Sequence, residues 1–246
     1  MYDVVALGEL LIDFTTQSTD PDGYPTMAAH PGGAPANFLA AIAKFGGKAA
    51  LLGKVGTDTF GKLLTDTLRK AGIETKGLVA SDEVFTTLAF VTLDENGDRK
   101  FAFARKPGAD TQLRFDELDL SIIDETRVFH FGTLSLTDEP ARSTTYRAVE
   151  YAKAHGKLVT FDPNLRKPLW KNLDGAKTQM LWGLDHADVV KASDEEVKFL
   201  FGLSAQDGAQ YILGHFPAKL VFVTCGADGC WFQNLSLIHI SEPTRH

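Results

Sequence analysis

Four short segments of this 246-residue chain combine glycines, carboxylates, amides or cationic side chains at close spacing, each segment with at least two of these types. Glycines let a backbone approach a ligand closely, and a helix that begins beside them offers free N–H groups. A cation near such groups can offset negative charge on a ligand. The four segments are Gly32-Gly-Ala-Pro-Ala-Asn37, Asp162-Pro-Asn-Leu-Arg166, Lys191-Ala-Ser-Asp-Glu-Glu196 and Thr224-Cys-Gly-Ala-Asp-Gly229.

Each segment also has a purely structural explanation. A glycine pair before a helix, such as Gly32 and Gly33, is more often a tight turn than a binding site. An Asp-Pro sequence, as at Asp162, is typical of a turn. Ser193 and Glu196 have the spacing of a capping box, in which each side chain binds the backbone N–H of the other residue. The Gly-x-x-Gly of the last segment is weak evidence by itself.

Asp13 and Arg105 are further candidates that lie outside these segments. Asp13 follows an apolar run, where by itself it is a turn residue at the carboxyl end of a strand. Arg105 is either a solvated strand arginine or a ligand for a polyhydroxyl or anionic substrate. Phe101 and Phe103 share its side of the strand by the two-residue period, and they could form an apolar wall that excludes water.

The order of elements along the chain predicts an α/β fold. Apolar runs and helical periodicity alternate, which favours a mostly parallel sheet with helices on both faces. The predicted strands are 4–7, 49–55, 128–132, 158–161, 188–191 and 220–224. The predicted helices begin near residues 36, 60, 140 and 193 and end at the glycines at 46, 72, 156 and 202, and another helix ends at 214.

One region interrupts this alternation with a predicted β-hairpin. Residues 87–93 and 99–105 flank the turn pair Asn96-Gly97. Together with residues 12–16, the hairpin is expected to form a small β-lid over the main sheet. A plain surface hairpin is the alternative.

Composition narrows the classes of partner. The net charge of −7 argues against a nucleic-acid partner, because no basic face is available to displace phosphate counterions. The two cysteines, Cys225 and Cys230, form no CxxC motif, which favours free thiols and the cytoplasm. The N-terminal residues read as a first strand and predict no signal peptide, and no apolar run reaches the ~20 residues of a membrane span.

Three stretches of the sequence resemble the PfkB (ribokinase-like) carbohydrate kinases, and the fructokinases among them. They are Pro31-Gly-Gly-Ala-Pro-Ala-Asn37, Gly53-Lys-Val-Gly-Thr-Asp-Thr-Phe-Gly61 and Phe161-Asp-Pro-Asn-Leu-Arg166. The resemblance implies a ribokinase-like, doubly wound, mostly parallel α/β sheet with a small β-lid, incomplete at its C-terminus. The kinase domain is expected over 1–234, with lid segments near 12–30 and 86–106. Residues 235–246 are expected to be a non-native tail, and a natural divergent tail is the alternative.

The resemblance also implies an activity, which is ATP-dependent transfer of a phosphoryl group to a sugar hydroxyl. Fructose, giving fructose 6-phosphate, is the expected substrate. ATP and Mg²⁺ are the implied cofactors, with a monovalent cation and a homodimer formed through the lid as further expectations. The implied roles are sugar binding for Asp13, Gly32, Gly33, Asn37, Phe103, Arg105 and Asp162, catalysis for Asn164 and Arg166, nucleotide binding for Lys191, Thr224, Gly226 and Gly229, and water-mediated Mg²⁺ binding for Glu196.

One motif of the resemblance does not occur in this sequence. The family carries Gly-Ala-Gly-Asp, whose aspartate takes the hydroxyl proton and whose helix N-terminus forms an anion hole. Absence of such a base costs ~10²–10⁴-fold in rate, so this chain alone is expected to be nearly inactive. Two alternatives remain at this point. One is another PfkB kinase, for 2-keto-3-deoxygluconate or a riboside, and the other is a non-catalytic binding or scaffold protein.

Overall fold

The predicted alternation of strands and helices is present in the computed structural model, which describes residues 1–93, 99–234 and 241–242. In chain order the strands are β1 (Tyr2–Leu7), β2 (Leu11–Thr19), β3 (Pro25–Gly32), β4 (Ala49–Gly56), β5 (Ile73–Glu74), β6 (Leu78–Ser81), β7 (Leu88–Leu93), β8 (Arg99–Ala104), β9 (Thr126–Gly132), β10 (Leu158–Asp162), β11 (Val189–Ser193), β12 (Leu220–Thr224), β13 (Cys230–Asn234) and β14 (Ser241–Glu242). The helices are α1 (Ala34–Lys44), α2 (Thr59–Lys70), α3 (Leu120–Asp124), α4 (Ala141–Ala154), α5 (Leu173–His186), α6 (Asp194–Phe201) and α7 (Ala205–His215).

The main sheet has the strand order β14-β13-β12-β11-β10-β9-β1-β4-β5, with β6 beside β4. The strands from β12 to β5 pair in parallel, and β13 and β14 add to the far edge in antiparallel fashion. The carboxyl ends of the parallel strands therefore open at one edge of the sheet, where ligands bind in open α/β folds.

Helices cover both faces of this sheet, as the sequence predicted. Phe129, Phe131 and Phe161 lie in the core on the face that packs against α3 to α7. The rings of Phe131 and Phe161 stack with centroids 4.7 Å apart. On the opposite face α1 and α2 pack against β1 and β4, and all eight residues of β4 are buried. The α/β fold class predicted from the sequence is confirmed.

A smaller sheet, with the order β3-β2-β7-β8, corresponds to the predicted lid. It is mixed, because β2 and β7 pair in parallel while the two outer pairs are antiparallel. Phe14 of β2 stacks on Phe90 of β7 at 5.3 Å and meets Phe60 of α2 edge-on at 5.5 Å. These rings fix the smaller sheet against α2. The predicted turn at Asn96-Gly97 lies outside the described residues.

Some elements were not predicted from the sequence. They are α3, α5 and several strands, among them β6 and β13. Residues 241–242 pair with β13, and the rest of the expected tail lies outside the described residues. Across the part of the chain that the structure describes, no helix is both long and apolar enough to cross a lipid bilayer.

Candidate functional site

The chain turns tightly where β3 ends at Gly32 and α1 begins at Ala34. Gly33 lies between them with a φ of 117°, a conformation that residues with a side chain rarely adopt. A Cβ atom at Gly33 would lie 2.4 Å from the carbonyl oxygen of Glu9, and one at Gly32 would lie 2.2 Å from Oδ2 of Asp13. Close packing within the protein therefore requires both glycines. The same packing brings Asp13 to the start of the helix.

Glu9 is a buried acid at this turn, and the sequence analysis did not identify it. Its exposed fraction is 3%, and its Oε1 accepts the backbone N–H of Ala34 at 2.8 Å. Burial raises the pKa of Glu9 to about 7, although hydrogen bonds from the backbone N–H groups of Glu9 and Ala34 act against the increase. The sequence feature that could have identified Glu9 is its position as a single charged residue inside the apolar stretch Ala6-Leu-Gly-Glu-Leu-Leu-Ile12.

Asp13 lies inside a strand of the smaller sheet. It is the third residue of β2 and pairs in register with His30 on β3 and Ala89 on β7. The placement of Asp13 at the carboxyl end of a strand was wrong, because β1 ends at Leu7 and Asp13 lies near the start of β2. Its strand is the one expected in the lid over residues 12–16. Burial raises the pKa of Asp13, and the positive charges of Arg166 and His30 oppose the increase. Asp13 and Arg166 are thus electrostatic neighbours.

Arg166 also reaches the lid. Its guanidinium carbon lies 5.9 Å from the ring centroid of Phe101, and the Phe101 and Phe103 rings stack at 6.3 Å. The lid therefore places an aromatic surface over a cation that lies next to Asp13. Asn37 is exposed on the first turn of α1, beyond the glycine pair.

Asp162 ends β10 at the carboxyl edge of the main sheet. Its Oδ2 lies 3.1 Å from Nζ of Lys191 on β11, and its Oδ1 accepts the backbone N–H of Asn164 at 3.1 Å. Burial raises the pKa of Asp162, and Lys191 opposes the increase. The turn that follows holds Asn164 at a φ of 43°. The predicted turn is present, and it brings Asp162, Asn164 and Lys191 together.

The predicted capping box at the start of α6 is confirmed. Ser193 Oγ accepts the N–H of Glu196 at 3.2 Å, and Glu196 Oε2 accepts the N–H of Ser193 at 2.8 Å. Glu196 Oε1 also accepts the N–H of Leu165 at 2.7 Å, so the carboxylate joins α6 to the turn after β10. Among residues 1–93, 99–234 and 241–242, no three His, Cys, Asp or Glu side chains form a group that could hold a metal ion directly.

The Thr224 loop connects β12 to β13 by a tight turn, one strand beyond β11. Thr224 Oγ1 donates to the carbonyl of Ala192 at 3.3 Å. The N–H of Cys225 donates to the carbonyl of Gly229 at 2.8 Å, and Gly226 and Gly229 have φ values of 56° and 97°. These conformations explain why glycine occupies both positions.

Arg105 is buried, so the solvated-arginine alternative is wrong. Its exposed fraction is 5%, and its Nη2 lies 2.7 Å from Oδ2 of Asp110, a residue that the sequence analysis did not identify. Burial lowers the pKa of Arg105, but the neighbouring Asp110 more than offsets this effect, and the pKa is raised. The two-residue period predicted that Arg105 shares the side of the strand on which Phe101 is exposed. Instead, β8 ends at Ala104 and the Arg105 side chain is buried.

Two cavities border these residues. One, of about 480 Å³, lies between α1 and the carboxyl edge of the main sheet, and its lining includes Glu9, Phe38, His130, Leu134, Asp162 and Lys191. The other, of about 630 Å³, lies between β8 and the segment after β10, and its lining includes Phe101, Phe103, Arg105, Asp138 and Trp170. Within the described part of the chain, the indole N–H of Trp170 is a buried donor without a hydrogen-bond partner.

The fold and this grouping of residues define a class of protein, the ribokinase-like kinases with a central α/β sheet and a small second sheet. A fructokinase structure from Xylella fastidiosa with bound ATP superimposes with a TM-score of 0.87 at 32% identity, covering 96% of this chain and 76% of that one. A fructokinase from Vibrio cholerae O395, in its fructose, ADP and calcium ion bound form, gives a TM-score of 0.86 at 33% identity, covering 100% and 78%.

Sequence comparison gives the family directly. The chain belongs to the pfkB family of carbohydrate kinases, and the sequence pattern of that family matches residues 1–244. A protein named probable fructokinase-3 from Arabidopsis thaliana is 44% identical over 232 residues, which are 93% of this chain and 67% of that protein. The family resemblance noted in the sequence is confirmed.

Proposed function

We propose that this protein is a fructokinase that uses ATP to phosphorylate fructose. The observation that carries the proposal is the convergence of Asp13, Arg166 and Phe101 beside the turn at Gly32 and Gly33. There the Asp13 carboxylate lies against Gly32, Arg166 is its electrostatic neighbour, and the Phe101 ring of the lid lies over Arg166. Relatives that are named fructokinases over most of this chain support the choice of substrate.

In this proposal the sugar lies between the lid and the start of α1. Asp13 accepts hydrogen bonds from two sugar hydroxyls, and Asn37 and the backbone around Gly33 contact others. Phe103, beside Phe101, excludes water when the lid closes. Arg166 and Asn164 face the transferring phosphoryl group, where a cation offsets developing charge.

The nucleotide is assigned to the neighbouring strand ends. Lys191 lies on β11, Thr224 is the last residue of β12, and Gly226 and Gly229 lie in the loop that follows. Each oxygen of Glu196 accepts a backbone N–H and keeps one free lone pair, which fits a hydrogen bond from a metal-bound water. A bound Mg²⁺ would neutralise phosphate charge. Calorimetric titration of ATP binding with and without MgCl₂, and in KCl compared with choline chloride, tests the metal and the monovalent cation.

The sequence contains no Gly-Ala-Gly-Asp motif, so we assign no residue of this chain as the base that takes the O6 proton. Slow turnover by this chain alone therefore remains a prediction. Sugar binding provides the more direct test of function. Isothermal titration calorimetry should show fructose binding that is tighter than binding of glucose, ribose and ribosides.

The variant Asp13→Asn keeps the shape of the side chain and removes its charge. Loss of charge-assisted hydrogen bonds should weaken fructose binding by about 10- to 100-fold. Asp22→Asn, on the exposed loop between the same two strands, is the matched control and should bind normally. Equal affinity of Asp13→Asn and the unaltered chain would refute the assignment of the sugar site. Preference for a riboside would favour another kinase of the family.

We also propose a cytoplasmic protein without a nucleic-acid partner, on the basis of its free cysteines and its net charge of −7.

A homodimer through the lid is a further proposal. Tyr24, before β3, is 70% exposed and Phe101 on β8 is 36% exposed, so the smaller sheet presents apolar surface. Light scattering should give twice the chain mass, and Tyr24→Ser should reduce it toward the single-chain value. A mass of one chain at all concentrations would refute the dimer.

A further inference from the structure

Arg105 is almost fully engaged by groups of the protein itself. Its Nε donates to Oδ2 of Asp110 at 2.8 Å, and its Nη1 donates to Oγ1 of Thr137 at 2.7 Å. Its Nη2 donates to the carbonyl of Leu134 at 2.8 Å and lies 2.7 Å from Oδ2 of Asp110. Three of the five N–H groups of the guanidinium therefore donate hydrogen bonds to the protein, and Asp110 Oδ2 lies against both Nε and Nη2. A ligand that needs the two-pronged face of Arg105 finds this face occupied by Asp110.

Asp110 is held as firmly as its partner. Its side chain is 2% exposed, and its Oδ1 accepts a hydrogen bond from the hydroxyl of the fully buried Thr87. Gly108 leaves the space for this arrangement, since a Cβ atom there would lie 1.9 Å from Oγ1 of Thr87 and 3.1 Å from Oδ1 of Asp110. The Arg105–Asp110 pair is therefore a fixed part of the fold.

The pair lies next to the candidate sugar site. Arg105 follows the lid strand β8 and lines the 630 Å³ cavity together with Phe103 and Asp138. Leu134, whose carbonyl accepts a hydrogen bond from Arg105, lines the 480 Å³ cavity. Arg105 is thus placed where a substituent of a bound sugar could meet it.

The other cations assigned to the site are also close to carboxylates. Lys191 is paired with Asp162 at 3.1 Å, and Arg166 interacts electrostatically with Asp13. A neutral sugar enters such a charge-balanced site without separating any pair. A carboxylate on the sugar would have to displace Asp110 from Arg105, which would leave a buried acid without its partner.

We propose that Asp110 determines substrate specificity by neutralising Arg105, so that the site accepts neutral sugars and rejects sugar acids. This inference rests on the proposed sugar-binding function of the same site. In this proposal Arg105 positions Thr137 and Leu134 through its hydrogen bonds, and Asp110 prevents its positive charge from interacting with the substrate. An arginine freed from Asp110 would be a two-pronged carboxylate ligand.

The test compares fructose with 2-keto-3-deoxygluconate in calorimetric titrations of the full 246-residue chain. The unaltered chain should bind fructose and should not bind the sugar acid at concentrations ~100-fold above the fructose Kd. Asp110→Asn keeps an acceptor for Thr87 and removes the charge. It should bind the sugar acid at least ~10-fold more tightly than the unaltered chain does, with fructose affinity changed by less than ~3-fold.

Two control variants separate this effect from general disturbance of the site. Asp138→Asn removes a more distant and partly exposed acid, 3.8 Å from Arg105, and should produce little gain. The double variant Arg105→Gln/Asp110→Asn removes both charges and should abolish the gain. The double variant and the unaltered chain still decide the question if Asp110→Asn alone fails to fold. In that case, binding of the sugar acid by either protein would overturn the proposal.

The outcomes separate this inference from the proposed function. If the unaltered chain binds fructose but Asp110→Asn folds without gaining affinity for the sugar acid, the role of Asp110 is refuted and the fructokinase proposal stands. If the unaltered chain binds the sugar acid as tightly as fructose, the specificity role is also refuted. If it binds neither, both proposals fail.

Discussion

Replacement of Glu9 by glutamine should change how the stability of this protein depends on pH. The pKa of Glu9 rises from an ordinary 4.5 to about 7 in the folded protein, chiefly because the side chain is buried. The folded state therefore binds this proton more tightly than the unfolded state. The resulting stabilisation is complete below pH 4.5 and is lost as the pH rises through 7. At ~1.4 kcal/mol for each pKa unit, the loss is about 3 kcal/mol.

His130, on the lining of the same cavity as Glu9, has the opposite effect. Burial, assisted by the charge of Lys191, lowers the pKa of His130 from 6.5 to about 4. The folded state therefore binds this proton less tightly, and the stability that depends on neutral His130 is present above pH 6.5 and is lost as the pH falls toward 4. This contribution is also about 3 kcal/mol. The two groups should nearly cancel between pH 4.5 and 6.5 in the unaltered chain.

Urea unfolding at pH values from 4.5 to 8 measures the effect. The isosteric Glu9→Gln variant keeps an acceptor for the N–H of Ala34 but cannot ionise. Its free energy of unfolding should increase by about 3 kcal/mol relative to the unaltered chain between pH 4.5 and 8. With the opposing acid removed, the variant should also show the rise in stability with pH that His130 causes.

Glu150→Gln is the matched control, because Glu150 is exposed on α4. Its stability should follow that of the unaltered chain at every pH. If the difference between Glu9→Gln and the unaltered chain stays constant within about 0.5 kcal/mol from pH 4.5 to 8, Glu9 does not titrate as a buried acid. The reasoning from burial would then be wrong.

Two further predictions concern the backbone around the site. Gly33→Ala should lower the thermal unfolding midpoint by several degrees more than Gly46→Ala. Both glycines have positive φ, but only at Gly33 would the new methyl group meet a backbone oxygen, 2.4 Å away. Equal decreases in the unfolding midpoint of the two variants would show that the structure relieves this crowding. Asp58→Ala should cost about 2 kcal/mol at pH 7, because Asp58 accepts three backbone N–H groups, including that of Thr86, at the start of α2. These hydrogen bonds outweigh burial and lower the pKa of Asp58 below 3.8. The difference in urea-unfolding free energy between Asp58→Ala and the unaltered chain should therefore shrink as the pH falls through this lowered pKa. A difference that persists at such low pH would contradict the role of the Asp58 carboxylate.

Local sequence patterns predicted much of the scaffold. The strand 220–224 was placed with its exact bounds, and the capping box of Ser193 and Glu196 has both expected hydrogen bonds. These features depend on neighbours a few residues away, so periodicity and spacing reveal them. The helix α5 was missed, because Gly175 and Gly183 interrupt its pattern. A Cβ atom at Gly183 would lie 2.3 Å from the ring of Phe161, so contact with a distant strand explains that glycine.

The sequence alone determined the family, the main α/β scaffold and the residue types available at the site. The tertiary structure alone decided how those residues are charged and paired. Arg105 and Asp110 are five residues apart, but nothing in their spacing indicates that a turn after β8 buries both against Thr87 and Thr137. Glu9 likewise acquires its pKa from burial under a helix that begins 25 residues later. Desolvation and charge pairing depend on the whole surrounding fold, and no local pattern in a sequence records that environment.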